Sequence, residues 1–335
     1  MAKIPYLDLN KVLSYDVPIM MILGVRGCGK TYGVKKRVVK NFVKKSRKFI
    51  YLFRNENKMK RVLATSNLFS DINNDMIFDE EIECKSKGAY YGEEHMGYFI
   101  PLSMALDYKS ASFADVDTII FDEFLIEENQ SGNYIRREPE LLQNLIDTVF
   151  RNRSDMEIFL LGNATTIYNP YALYYHVDKP YYSNVAVSKD RKAMIYLAQD
   201  EQFIEFRKTT SVGQLVDGTA YGDFALYNNF QAEKEGFICK KPKCNYLCTI
   251  LYDDFKLGIW ISNKHGLIWV SEDVDPSSKN VYALTANSHS ENTLLIKNAR
   301  GNLLQYVMGY YKAGCLRFEN QKVKELFNNV LLLFI

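Results

Sequence analysis

Residues Gly24-Val25-Arg26-Gly27-Cys28-Gly29-Lys30-Thr31 fit the phosphate-binding loop, and no other stretch restricts the possible folds as tightly. In that pattern small residues let backbone N–H groups close around a phosphate chain. The Lys reaches the outer phosphates and the Thr hydroxyl serves Mg²⁺. The pattern has meaning only between a strand and a helix. Ile19-Met20-Met21-Ile22-Leu23 is a continuous apolar run of the kind found in buried parallel strands, and residues 30–48 read as a helix. The helix N-terminus then directs free N–H groups and the positive end of its dipole at the phosphates. A tight glycine turn without a ligand is the competing reading, and the order strand, loop, helix weighs against it.

A second constellation supports the first. Asp117-Thr118-Ile119-Ile120-Phe121 is an apolar strand that delivers Asp122 and Glu123 to its carboxyl end. That suits a Walker B element, with Asp122 in the Mg²⁺ shell and Glu123 polarising the attacking water. Ile158-Phe159-Leu160-Leu161 is a further strand ending in Gly162-Asn163, and Asn163 is a candidate γ-phosphate sensor or simply a turn residue. Between them, residues 138–150 carry Leu141, Leu142, Leu145, Ile146 and Val149 at helical spacing, followed by Arg151 and Arg153. Residues 49–53 read as another strand and 58–65 as a helix, whereas 71–104 reads as an irregular insertion with hairpin-like pieces. The pattern predicts a doubly wound, mainly parallel α/β ATPase domain over 1–197. A linker subdomain follows over 198–228. An α+β module spans 229–335, with strands at 249–252, 256–262 and 267–271 and helices near 291–299, 302–312 and 320–333.

The 335 residues carry a formal net charge of +2, with an uneven distribution. The first 60 hold 15 Lys and Arg against 3 Asp and Glu, and the remainder holds 27 against 37. Lys36, Lys40, Lys44 and Lys48 recur every fourth residue opposite Val34, Val38 and Phe42, as either a solvated face or a phosphate-backbone contact. No apolar run reaches the roughly 18 residues needed to cross a membrane, and six scattered cysteines, one inside the loop, argue against a disulfide framework. An intracellular protein with reduced thiols is expected. Cys239, Cys244 and Cys248 have only a loose metal-like spacing.

Several segments together resemble one family: Ser14-Tyr15-Asp16, the loop itself, the Walker B run with Phe124, Thr148-Val149-Phe150-Arg151-Asn152-Arg153, Asn169-Pro170-Tyr171, Asp217-Gly218-Thr219 and Lys279-Asn280-Val281-Tyr282. From about residue 12 to 327 the chain is similar to the DNA-packaging (encapsidation) ATPase of small, short-tailed Bacillus-type bacteriophages. The resemblance implies a ring-forming ASCE-type ATPase, a pentamer on a procapsid portal, using ATP and Mg²⁺ to drive double-stranded DNA into the shell. A structural RNA is a further possible partner. It also implies action in the host cytoplasm during assembly and absence from the mature virion. The C-terminal module becomes a degenerate RNase H-like domain; Asp253, Asp254, Asp273 and Asp275 are its carboxylates nearest to a nuclease set, and their placement in loops argues against cutting.

On this reading Lys30 and Thr31 bind phosphate and Mg²⁺, Arg151 matches the arginine finger, and Lys109 matches a second residue acting across the subunit interface, with Arg153 a further trans-acting or switch candidate. Arg54 pairs with Glu123 to hold it inactive, although Phe53 stands where the family has another Arg. Leu125-Ile126-Glu127-Glu128 replaces the family's basic residues, so Lys58, Lys60, Arg61, Arg136 and Arg137 are the alternative DNA contacts. Two other readings stay open: a different P-loop motor, helicase-like or of the filamentous-phage assembly type, and a nucleotide-gated structural connector with little turnover.

Overall fold

The computed structural model describes residues 6–126, 134–163, 169–178, 180, 183–198, 201–219, 237–296 and 302–331. Contacts divide the chain into two compact units, Met1–Ala232 and Glu233–Ile335.

The first unit is built on nine strands: β1 (Ile19–Gly24), β2 (Lys48–Phe53), β3 (Ile82–Lys85), β4 (Gly88–Tyr91), β5 (Glu94–Pro101), β6 (Val116–Asp122), β7 (Glu157–Gly162), β8 (Val185–Val187) and β9 (Ala193–Ala198). Their order is β3-β4-β5-β2-β6-β7-β1-β9-β8. From β5 to β9 every neighbour runs parallel, while β3, β4 and β8 pair antiparallel at the margins. A parallel sheet must be covered on both faces, which explains why β1 is apolar throughout. Ile19, Met21 and Leu23 enter one core and Met20 and Ile22 the other. One face is covered by α5 (Glu138–Phe150) and α6 (Pro170–Tyr174). The other carries α1 (Leu9–Leu13), α2 (Lys30–Lys45), α3 (Glu56–Thr65) and α4 (Ser70–Asn74).

The apolar stripe of α2 is as expected, since Val34, Val38 and Phe42 are buried. The helix is shorter than predicted. Ser46 adopts a left-handed conformation and closes the helix with an N–H bond to the Phe42 carbonyl at 2.8 Å, and Lys48 already belongs to β2. The basic stripe therefore holds three lysines, because Lys48 pairs with Asp115 at 2.7 Å. A second correction concerns residues 71–104: Gly97–Ile100 is not part of an insertion but a parallel core strand beside β2. Only Gly fits at 97, where a Cβ would sit 2.4 Å from the Phe49 ring.

The described part of 198–228 forms α7 (Glu201–Lys208) and α8 (Ser211–Val216), which scattered glycines concealed in the sequence. Phe203 of α7 is buried in the same core cluster as Val25, Cys28 and Ala198, so this segment packs on the sheet of the first unit.

The second unit has β10 (Asn245–Tyr252), β11 (Phe255–Ser262), β12 (Leu267–Ser271), β13 (Val281–Ala283), β14 (Leu294–Leu295) and β15 (Leu316–Phe318), with α9 (Asn302–Lys312) and α10 (Gln321–Leu331). β10, β11 and β12 form an antiparallel meander, β13 runs parallel to β10, and β14 parallel to β13. The helix expected near 291–299 is absent over 291–295. Thr293 Oγ1 accepts the Ser290 N–H at 2.8 Å, a local turn that competes with helix, and Leu294 pairs with Tyr282. Residues 297–299 lie outside the described set. Asp253 occupies the β10–β11 turn, Asp273 pairs with Lys241 at 2.6 Å, and Asp275 caps the Ser277 N–H at 2.9 Å. Among the described residues no group of three or more His, Cys, Asp or Glu lies close enough to hold a metal ion, and the six cysteines are free thiols. No helix among the described residues is long and apolar enough to cross a membrane.

Candidate nucleotide site

β1, β6 and β7 are parallel, with β7 between the other two, so their carboxyl ends open on one edge of the sheet. Gly24, Asp122 and Asn163 thereby arrive together from positions up to 139 residues apart in sequence. Parallel sheets bind ligands at this edge because the strand ends deliver side chains and the following helices present their N-termini.

The loop owes its shape to its glycines. Gly27 and Gly29 have φ of 80° and 90°, a region in which L-residues are strained. Gly24 is required for another reason: a Cβ there would stand 2.8 Å from the Ala198 Cβ and 2.9 Å from its carbonyl oxygen. Val25 and Cys28 are buried beneath the loop and Arg26 is exposed. Lys30 is 7% exposed, and its ammonium donates to the carbonyls of Gly24 at 2.8 Å and Val25 at 2.9 Å.

Thr31 Oγ1 donates to Asp122 Oδ2 at 2.9 Å, joining the start of α2 to the end of β6. Tyr51, buried in β2, donates to the same oxygen at 3.4 Å. Burial raises the Asp122 carboxyl above its ordinary range, a shift that the Thr31 hydroxyl and the Glu123 N–H oppose. Burial, reinforced by the charges of Asp122 and Glu123, likewise pushes the Tyr51 phenol up. A hydroxyl and a carboxylate in contact at a strand end form a hard oxygen pair of the kind Mg²⁺ takes, with its remaining positions left for water and phosphate. The glycine loop, Lys30 and this pair thus fit a Mg²⁺–nucleoside triphosphate.

Glu123 has φ of 54°, an uncommon backbone conformation for a residue that is not glycine. Its exposed carboxylate is engaged by Lys58 of α3 at 2.5 Å. Arg54 was the partner expected for it, and here the structure differs. Arg54 Nε pairs with Glu138 at 3.0 Å, with side-chain exposures of 8% and 0%. Its other donors reach the backbone carbonyls of Glu123 and Phe124. Glu138 also accepts from Tyr171 Oη at 2.6 Å and the Ile135 N–H at 2.8 Å. The buried charge of Glu138 and its two further donors outcompete an exposed carboxylate for the guanidinium. Tyr51 and Glu138 carry no local motif, and the Asn169-Pro170-Tyr171 segment does not reveal what Tyr171 touches, so only the topology brings the three to this edge.

At the far end of α5, Arg151 closes the helix with φ of 37° and is exposed. Its guanidinium donates to the carbonyl of Lys109 at 2.9 Å, so the two residues expected to act across a subunit interface share one surface. Arg153 is committed elsewhere. It donates to the carbonyls of Ala114 at 3.0 Å, Phe113 at 3.2 Å, Val116 at 2.6 Å and Val149 at 3.1 Å, a clamp that leaves it no reach toward a neighbour.

Of the candidate DNA contacts, Lys58 binds Glu123, Lys60 pairs with Glu56 at 2.7 Å, Arg61 leans on the Asn57 carbonyl, and Arg137 pairs with Glu140. Arg136 is exposed beside Arg137 at the start of α5. Glu127 and Glu128 lie outside the described residues.

The chain resembles known proteins over nearly its whole length. Residues 1–332 match the model of the Podovirus DNA encapsidation protein (Gp16) family. The chain belongs to that family. It is 36% identical over 328 residues to the DNA packaging protein of Bacillus phage phi29, covering 97% of each, and 35% identical over 317 residues to that of Bacillus phage B103, covering 94% of this chain and 97% of the relative. The solved phi29 viral genome packaging motor assembly contains a chain that superposes with a TM-score of 0.76 at 33% identity, over 98% of this chain and 99% of the other. In this encapsidation-family protein the nucleotide loop and the Asp122–Glu123 pair lie on a frame like that of the phi29 motor chain.

Proposed function

We propose that this encapsidation protein is an ATP-hydrolysing subunit of a homo-oligomeric ring, a pentamer when assembled, that drives double-stranded DNA into a preformed procapsid. The contact between Thr31 Oγ1 and Asp122 Oδ2 carries the reading, because it brings a phosphate-binding helix and a metal-binding carboxylate together with Glu123 one residue beyond. Mg²⁺, when bound, neutralises charge on the phosphate chain. Lys30 supports the outer phosphates, and Glu123, once released from Lys58, orients the attacking water. Asn163 at the end of β7 faces the same edge as a γ-phosphate sensor.

Arg151 and Lys109 form the second half of the site. Both are exposed on one surface, and a cation from that surface can stabilise charge on phosphate held by the next subunit. Hydrolysis then depends on the neighbour's position, which orders firing around the ring. Lys58, Lys60 and Arg61 of α3, with Arg136 and Arg137, are the candidates for sequence-independent, salt-dependent contact with the DNA backbone. We further propose that residues 1–197, 198–228 and 229–335 act as ATPase, linker and docking regions. The docking region faces the portal and its structural RNA, and the protein leaves the particle before maturation.

The test is subunit mixing. Arg151→Ala and Lys30→Ala chains, each inactive alone in procapsid-dependent packaging, are expected to recover part of the ATPase activity when mixed. Folded, assembled mixtures without recovery at any ratio would remove Arg151 from the neighbour's site. A Glu123→Gln chain that binds ATP and still packages DNA would count for the structural-connector reading instead.

A further inference from the structure

The most informative side chain outside the two motifs is Arg207, near the end of α7. Phe203, one helical turn earlier, is buried in the core beneath the loop, so Arg207 at i+4 projects from the same face of the helix. Its Nη1 lies 3.1 Å from where a Cβ on Gly27 would stand, against the phosphate loop itself. Arg207 Nε is buried and has no hydrogen-bond partner among the described residues. Arg153 provides the contrast within the same unit, since a structural arginine here donates to four backbone carbonyls. A permanently charged guanidinium with a buried, unanswered donor, set beside a cradle of N–H groups, calls for an anion.

We infer that Arg207 is a nucleotide-binding residue contributed in cis, pairing with the phosphate chain of the nucleoside triphosphate held by the loop. The assignment rests on the ATP reading above and adds a residue that neither motif contains. It also has a mechanical side. The Arg207 carbonyl accepts the Thr210 N–H at 3.1 Å and the Thr210 hydroxyl at 2.7 Å, and Thr210 caps α8. Gly213 is pressed so tightly on that carbonyl that a Cβ would stand 1.9 Å from it. Phosphate contact at Arg207 is therefore linked through one residue to the position of α8.

Arg207→Gln tests the assignment against wild type in titrations with a fluorescent ATP analogue and with adenosine as competitor. Loss of one charge-assisted contact predicts about tenfold or more weaker ATP binding, a shallower salt dependence and unchanged adenosine affinity. Arg207→Lys, which keeps the charge without the fork, is expected to lie between. Unchanged ATP affinity in Arg207→Gln, or equal weakening of ATP and adenosine, overturns the assignment while leaving the ATP reading intact. Wild type that binds no ATP overturns both. Should Arg207→Gln not fold, phenylglyoxal modification of wild type decides: pyrophosphate is expected to protect Arg207, and undiminished labelling refutes the contact.

Discussion

Replacing Arg54 separates two roles that a single arginine at the end of β2 might play. If it held Glu123, Arg54→Met would alter turnover and leave the fold untouched. The structure predicts the reverse emphasis. Glu138 has no exposed side-chain surface, so removing its cation strands a buried carboxylate, a change that costs about 3–5 kcal/mol when nothing else compensates. Two donors remain, Tyr171 Oη at 2.6 Å and the Ile135 N–H at 2.8 Å, which places the expected loss near the lower end, about 3 kcal/mol. For a domain of this size each kcal/mol lowers Tm by about 2–4 °C, so the melt should move by roughly 6–12 °C. Arg54→Met combined with Glu138→Gln removes both charges and should recover much of that loss, so the double mutant loses less stability than the two single changes summed. Thermal melts of the four proteins, with ATPase assays alongside, decide the matter. A single mutant that melts like wild type but has lost turnover would refute the argument and return Arg54 to Glu123.

The two arginines after α5 should part company in the same assays. Arg153→Ala strips donors from four carbonyls and is expected to cost about 2–4 kcal/mol, whereas Arg151→Ala gives up one exposed bond and should leave stability within about 0.5 kcal/mol of wild type while abolishing ring ATPase activity. Equal Tm losses in the two variants would sink the division of labour. Asp122→Asn should stabilise the free protein at neutral pH even as it removes Mg²⁺-dependent activity. Burial raises the carboxyl above 3.8, so the wild type gives up stability as pH climbs from 3.8 through the raised value. The advantage of Asn is thus absent below that window and complete above it, and a pH-independent difference in melting would contradict the linkage.

The elements whose chemistry is local were readable along the chain. The apolar run of β1, the glycine loop and the Val34, Val38, Phe42 stripe each encode their structure within a dozen residues. Gly97–Ile100 was misread because a short strand bounded by glycine and proline looks like a hairpin until its parallel partner β2 is known. Residues 291–295 do not form the start of the helix expected near 291–299 for a related reason, since a Ser290–Thr293 turn and pairing with β13 outweigh the intrinsic preference of a few residues. Arg153 is a candidate to act in trans on sequence because sequence records the charge and not the four carbonyls waiting for it.

Sequence alone determined the chemical vocabulary of the protein. A phosphate loop, a strand ending in two carboxylates and an arginine after a helix are local patterns, since backbone conformation and residue type suffice to specify them. Tertiary structure decided how the charges are spent. Which carboxylate Arg54 answers, whether Lys58 or Arg54 engages Glu123, that Arg151 stands beside Lys109, and that Arg207 leans on Gly27 all depend on burial and on partners far away in the chain. Electrostatic energy depends on distance and on desolvation, and neither exists until the sheet has assembled.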